Sequence, residues 1–217
     1  MKFHAVTRIL SAVAPTLKYL HIVFAPSREF VLPHVNLPQL VDLVIQGSYG
    51  DFAQLRPGAA PTFKKLRRLR LTEVYTSQGD RTFKTIAASA PNLTHLRLDH
   101  RNPYHYALRS ELKEFLGDIS QKPDATTSKF PVSLEKLFLH PGMRSPPGSF
   151  MCGTGFMIRF SSMKALQTLA DTDPRFILLR EDEYARRSNY EVDEGLNAWL
   201  GEINGQPSHW EEPMRNS

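Results

Sequence analysis

The stretch Leu93-Thr94-His95-Leu96-Arg97-Leu98 decides how this chain is read. Its second and third leucines are two residues apart, the spacing of a β-strand with one buried face. The same spacing recurs in Leu17-Lys18-Tyr19-Leu20-His21-Ile22, Leu40-Val41-Asp42-Leu43-Val44-Ile45, Leu66-Arg67-Arg68-Leu69-Arg70-Leu71 and Leu134-Glu135-Lys136-Leu137-Phe138-Leu139. A degenerate sixth copy is read at Leu166-Gln167-Thr168-Leu169-Ala170-Asp171. Four copies share a lead-in, at Pro15, Pro38, Pro91 and Pro131. Proline has no N–H to give to a ladder, so it marks where a strand begins rather than its interior.

The copies start 23, 26, 27, 41 and 32 residues apart. Three of these intervals match the period of about 20–29 residues of leucine-rich repeats, and the longer two require insertions. Helical stripes fill the gaps: Phe83, Ile86, Ala87 and Ala90; Leu108, Leu112, Phe115, Leu116 and Ile119; and a weaker Phe156, Phe160 and Met163. Strand–helix alternation in short units implies a parallel sheet with helices on one side. A single unit cannot bury its own leucines, so stacking must supply the core. The expected fold is therefore α/β: a leucine-rich-repeat solenoid over residues 15–172, about six repeats, with a curved parallel sheet and irregular helices and loops on the convex side. Leu69 and Leu96 should be buried neighbours on adjacent strands, and Arg70 and Arg97 lateral neighbours on the opposite face.

The two ends read differently. Lys2, His4 and Arg8, with no acidic residue before Glu29, resemble a transit peptide in composition. Phe3, Val6, Leu10 and Val13, however, form one helical stripe. Residues 1–14 are therefore expected to be a structural helix covering Leu20 and Ile22. Residues 173–217 are expected to be an acidic C-terminal segment, with a capping helix through Leu196, Trp199, Leu200 and Ile203. Ser48–Pro61 and Pro141–Gly155, rich in Gly and Pro, read as loops. Charge is asymmetric: residues 1–179 carry 23 basic and 13 acidic side chains, residues 180–217 carry 4 and 9.

Strand alternation assigns the outward face. The residues before, between and after the second and third apolar positions point away from the core. In the middle copies these include Arg68, Arg70, His95, Arg97, Lys136 and Phe138, a basic and aromatic face that Lys64, Lys65 and Arg67 extend. Arginine gives bidentate contacts to carboxylate and phosphate. The six residues are the candidate partner-binding site, for a protein with an acidic or phosphorylated segment. Nucleic acid is a weaker candidate, because the net charge is only +5 and no recognition-helix or base-stacking motif is present.

Other chemistry finds little support. Nucleophile-elbow, phosphate-loop and His-Glu-x-x-His motifs are missing, so no enzyme is expected. His95, His100 and His105 fall on a strand and in a loop, so neither a metal site nor a cofactor is expected. Cys152 is the single cysteine, which excludes an internal disulfide and suits a reducing compartment. Asn92-Leu93-Thr94 matches the glycosylation pattern but overlaps a strand entrance. No run approaches the roughly 18–20 apolar residues of a membrane span. A cytoplasmic or nuclear location is expected, away from membranes.

Phe63-Lys64-Lys65-Leu66-Arg67-Arg68-Leu69-Arg70-Leu71, Ile86-Ala87-Ala88-Ser89-Ala90-Pro91-Asn92-Leu93-Thr94-His95-Leu96 and Pro131-Val132-Ser133-Leu134-Glu135-Lys136-Leu137 together resemble the irregular leucine-rich-repeat half of fungal F-box-like proteins. The resemblance spans roughly residues 15–203. It implies substrate recognition by the repeats of a ubiquitin ligase receptor, whose F-box docks on a Skp-type adaptor. Two features depart from the family. Leu37-Pro38-Gln39-Leu40 imitates an F-box opening but is in phase with the repeats, and Gly47-Ser48-Tyr49-Gly50-Asp51 would break the helix an F-box needs. The asparagine expected three residues after each third apolar position is replaced by Ala25, Ser48, Val74, Arg101 and Gly142. A Skp-type adaptor is therefore expected as a partner only of a longer product that carries an F-box. A free-standing interaction adaptor is the alternative role.

Overall fold

The computed structural model describes residues 2–23, 35–46, 63–72, 81–99, 112, 116, 133–141, 154–179 and 201. The second, third and fourth units enter their strands through the same turn. The N–H groups of Leu40, Leu66 and Leu93 donate to the carbonyls of Leu37, Phe63 and Ala90, each at 3.2 Å. Pro38 and Pro91 sit inside these turns, where no N–H is required. The next step is also repeated. The Lys18 carbonyl accepts from the N–H groups of Val41 and Asp42, that of Val41 from Arg67 and Arg68, that of Arg67 from Thr94 and His95, and that of Thr94 from Glu135 and Lys136. A carbonyl has two lone pairs, so one oxygen satisfies two donors of the following unit.

The strands are β1 (Tyr19–Val23), β2 (Asp42–Gln46), β3 (Arg68–Thr72), β4 (His95–Asp99), β5 (Lys136–His140) and β6 (Phe176–Leu178), with the shared carbonyl at the start of β2 to β5. The six strands form one open sheet in the order β1-β2-β3-β4-β5-β6, every pair parallel. Among the described residues they are accompanied by α1 (Lys2–Val13), α2 (Arg81–Ser89) and α3 (Thr154–Thr172), and Leu112, Leu116 and Gly201 are also helical. The chain is thus α/β with a six-stranded, all-parallel sheet.

Register places like positions side by side. Leu43, Leu69, Leu96 and Leu137 are successive partners, as are Ile45, Leu71, Leu98 and Leu139, and all eight are buried. Leu69 and Leu96 are the buried neighbours expected. The same core cluster holds Leu10 of α1, Phe83 and Ile86 of α2, Leu166 of α3, and Leu112 and Leu116. These helices therefore cover one face of the sheet and leave the other to different chemistry. Each fully buried leucine contributes about 1.5–3 kcal/mol of transfer free energy, opposed by the entropy lost in ordering the chain. The Leu37-Pro38 stretch leads into β2, so the Leu-Pro pair opens a strand, as the repeat phase requires.

Three expectations are corrected. Leu166–Asp171, read as a sixth strand, lies within α3. A separation of three residues suits a helix as well as this repeat, and Met163, Leu166, Leu169 and Ala170 meet the core at helical spacing. The actual sixth strand is β6, so the sheet runs past the boundary expected at residue 172 and into the segment assigned to the tail. Its Phe176 and Leu178 pair with Leu137 and Leu139. Counting back three residues from Phe176 puts Asp173 where the other units have their first leucine, and Asp173 is only 1% exposed. Second, α1 is a helix, but it meets the core through Leu10, with Ala14 buried just past its end, while Val6 and Val13 are exposed. Third, the stripe expected on α3 is rotated: Met163 packs on the core and Phe160 is exposed. Of the helix read through Leu108–Ile119, Leu112 and Leu116 are helical and buried. Most of the two proline- and glycine-rich loops, Cys152 and the capping helix around Trp199 lie outside the described residues, Gly201 excepted.

The buried Asp173 is satisfied locally. Arg175 Nε and Nη2 donate to its two carboxylate oxygens at 3.1 and 2.8 Å, and the Arg175 N–H donates to Oδ1 at 2.9 Å. Arg175 Nη2 also donates to the Leu116 carbonyl at 2.9 Å. The hydrogen bond to Asp173 raises the Arg175 guanidinium above its ordinary value, against the opposing effect of burial. A charged pair thus does in the last unit what a leucine does in the others.

Candidate functional site

Residues flanking the inward positions line the opposite face in three lateral rows. The first row is Tyr19, Asp42, Arg68, His95 and Lys136; the second is His21, Val44, Arg70, Arg97, Phe138 and Ile177; the third is Val23, Gln46, Thr72, Asp99 and His140. The six residues expected to bind a partner occupy the places of β3, β4 and β5 in the first two rows. Arg70 and Arg97 are lateral partners, as alternation requires.

The face is less basic than its arginines suggest. Arg68 Nε donates to Asp42 Oδ2 at 2.9 Å. Arg70 Nε donates to Asp99 Oδ2 at 2.7 Å and Arg97 Nε to Asp99 Oδ1 at 3.1 Å. One carboxylate therefore ties two guanidinium groups on adjacent strands. The Thr72 hydroxyl reaches Asp99 Oδ2 at 3.4 Å. Burial of Asp99 would push its carboxyl up. The charges of Arg70 and Arg97, with His140 and the hydrogen bond from Arg70 adding to them, outweigh burial and hold it well below the usual carboxylate range.

His95 and Phe138 are linked by a ring contact, centroids 6.5 Å apart and planes inclined by 19°. His95 Nδ1 lies 2.9 Å from Thr94 Oγ1, whose hydroxyl hydrogen is given to the Arg67 carbonyl. Burial lowers the His95 imidazole below its ordinary value. Glu135 opposes this, while Lys136 and Arg68 reinforce it. Lys136 is exposed. Phe138 departs from expectation: it sits on the outward face but is only 6% exposed, clustered with Leu179 and Ile177. It closes that end of the face instead of offering a ring to a partner.

Of the flanking cations, Lys65 Nζ donates to Gln39 Oε1 at 2.7 Å and Arg67 reaches the Asn92 carbonyl at 3.5 Å. Asn92 Nδ2 donates to the Lys64 carbonyl at 2.8 Å, so the side chain of the glycosylation pattern braces the strand entrance. Asp42 and Asp99 are the members of the site that a count of cations overlooks. Both lie at outward positions: Asp42 meets the arginine directly opposite it, whereas Asp99 lies opposite Thr72 and meets Arg70 diagonally. Among the described residues no cluster of histidine, cysteine and acidic side chains is arranged to hold a metal, and no helix is long and apolar enough to cross a membrane. His100, His105, Cys152 and Glu181-Asp182-Glu183 lie outside the described residues. Comparison with family models, with curated proteins and with solved structures returns no match to this chain.

Proposed function

We propose that the chain is a non-enzymatic protein-binding module of the leucine-rich-repeat kind. In this reading it recognises partners on its outward sheet face, as F-box-type ubiquitin ligase receptors recognise substrates, in the cytoplasm or nucleus. The repeat spacing and the order of parallel strands support the solenoid reading. The observation that carries the functional reading is the twin arginine. Arg70 and Arg97 are held side by side by one buried carboxylate on the face opposite the helices. Paired guanidinium groups of fixed spacing suit an acidic segment of another protein.

A triple variant, Arg70→Gln with Arg97→Gln and Asp99→Asn, tests this without stranding a buried charge. Affinity capture of wild type and variant, compared by quantitative mass spectrometry, should show a set of partners lost with the triad. Capture should also weaken between about 0.05 and 0.5 M salt, since surface electrostatics are screened. An identical set captured by both chains, with no salt dependence, would overturn the reading.

A further inference from the structure

The two ends of the sheet are finished differently. At the β6 end Phe176 and Leu179 are buried, with Ile177 and Leu178 half-buried between them. At the other end β1 is the edge strand among the described residues, and Tyr19 and Val23 are 56% and 46% exposed. Leu20 and Ile22 are only half-buried, although their partners on β2, Leu43 and Ile45, are fully buried. Charge on an edge strand is a common protection against pairing with another chain. β2, β3, β4 and β5 each carry a charged residue, whereas β1 and β6 carry none, and of these two ends only the β1 end is left apolar and exposed. Lys18, just before β1, is the nearest charge in the chain.

Helix α1 continues this bare end. Among its described side chains only Leu10 is buried. At 3.6 residues per turn, positions four before, one before and three after a given residue are all displaced to the same side of it. Those positions are Val6, Ile9 and Val13, and all three are exposed, Ile9 at 63%. Thr7 and, just past the helix, Ala14 fall on the other side of Leu10, half-buried and buried. The covered side faces the rest of the molecule, so the bare side faces the open end.

We propose that this end, made of α1 and β1, is a self-association surface on which a second copy of the chain packs about a two-fold axis. An uncharged apolar surface is complementary to itself, because no like charges are opposed when it meets its own copy. A two-fold axis normal to the sheet sets inner face beside inner face. Leu20 and Ile22 then meet the same residues of the copy, and the bare side of α1 meets its counterpart. The buried β6 end offers no exposed match for head-to-tail addition, so the assembly closes at two copies rather than growing. Five exposed apolar side chains on each copy, with Leu20 and Ile22, supply on the order of 1,000 Å² in total, the lower bound for a specific interface. The dimer should therefore form at micromolar concentration and part on dilution. Arg70 and Arg97, on β3 and β4, take no part in it.

Sedimentation equilibrium of the full chain from about 1 to 100 µM reads the association directly. Wild type should pass from one copy to two across this range and go no further. Ile9→Lys on α1 and Tyr19→Lys on β1 should each weaken the dimer at least about tenfold, since each sets a charge against its own copy. Met157→Lys changes an equally exposed residue of α3, 64% exposed, and should leave the association as it is. Circular dichroism checks that each variant is folded. The two interface variants are independent, so loss of structure in one leaves the other, and the wild-type mass, to decide. A wild type that stays a monomer throughout, a mass that grows past two copies, or a Met157→Lys effect as large as that of Ile9→Lys overturns the proposal.

Discussion

The two faces of the sheet obey different rules. On the inner face the same side chain recurs at the same place: Leu43, Leu69, Leu96 and Leu137 are successive partners and all are buried. On the outer face the corresponding row reads Val44, Arg70, Arg97 and Phe138, with arginine kept for two places and a different residue type at either end. Packing asks each unit for the same volume, so the inner face repeats. The outer face carries no such demand for a common volume, so its residue types vary. Each face also holds one exception. The inner face admits the charged Asp173, and the outer face buries the apolar Phe138.

The largest effect should come from the inner face at its centre. Leu69→Ala removes a fully buried side chain between two filled strands and should cost about 3–5 kcal/mol by lost transfer energy and a residual cavity. Leu20→Ala changes the same position on the edge strand, where the leucine is only partly buried. It should cost about 1–2 kcal/mol. Urea midpoints for the two variants test the contrast. Equal losses would show that the edge strand is as well covered as the centre.

That contrast also explains what could be read without coordinates. Five strands follow from the repeat because the final two-residue step, as in Leu96 to Leu98, fits a strand and not a helix. The sixth was misplaced for two linked reasons. Leu166 and Leu169 carry the three-residue step alone, which a helix shares, and the true strand has Asp173 in place of its first leucine. The outer face was legible as a set of positions but not as a set of pairs. Asp99 follows Arg97 on the same strand and lies opposite Thr72, so its bond to Arg70 runs diagonally between β3 and β4, a choice of partner that the register read from the pattern does not convey. The burial of Phe138 depends on Leu179, which continues the chain beyond β6 and donates its N–H to the Leu139 carbonyl.

The inner exception predicts the next effect. Arg175→Ala leaves the Asp173 carboxylate buried with only a backbone donor, and should cost about 3 kcal/mol, the low end for breaking a buried pair because Arg175 itself is a third exposed. Asp173→Leu with Arg175→Gln makes the last unit read Leu-x-x-Phe-x-Leu, like its neighbours. This double variant should fall within about 1 kcal/mol of wild type or exceed it, since apolar replacements of buried ion pairs are often neutral or stabilising. Thermal melts distinguish the two cases. A double variant as unstable as Arg175→Ala would mean that Asp173 occupies no leucine position, and that the last unit is built differently from the rest.

The smallest effect belongs to the outer face and appears as a dependence on pH. Arg70 and Arg97 hold the Asp99 carboxyl well below the usual carboxylate range, whereas in the unfolded chain it titrates near 3.9. Between those values the unfolded chain binds a proton that the native state does not, so stability falls as pH falls. The contribution of Asp99 is therefore complete above about pH 5 and is lost progressively in stronger acid. Asp99→Asn keeps an acceptor oxygen but removes this titration. At pH 7 it should be less stable than wild type by about 1.5 kcal/mol, the low end for hydrogen bonds to a charged group because the two arginines remain partly exposed. At pH 3 the difference should shrink, because the wild type has by then lost part of what the variant never had. Burial of the His95 imidazole gives a separate slope, with stability lost as pH falls through about 6.5, but it is present in both chains and cancels in their difference. The measurement is a pair of urea titrations at each of several pH values. A difference that stays constant from pH 7 to pH 3 would show that the charge of Asp99 is not coupled to the fold, and the outer face would then be as indifferent to its charges as the inner face is dependent on its leucines.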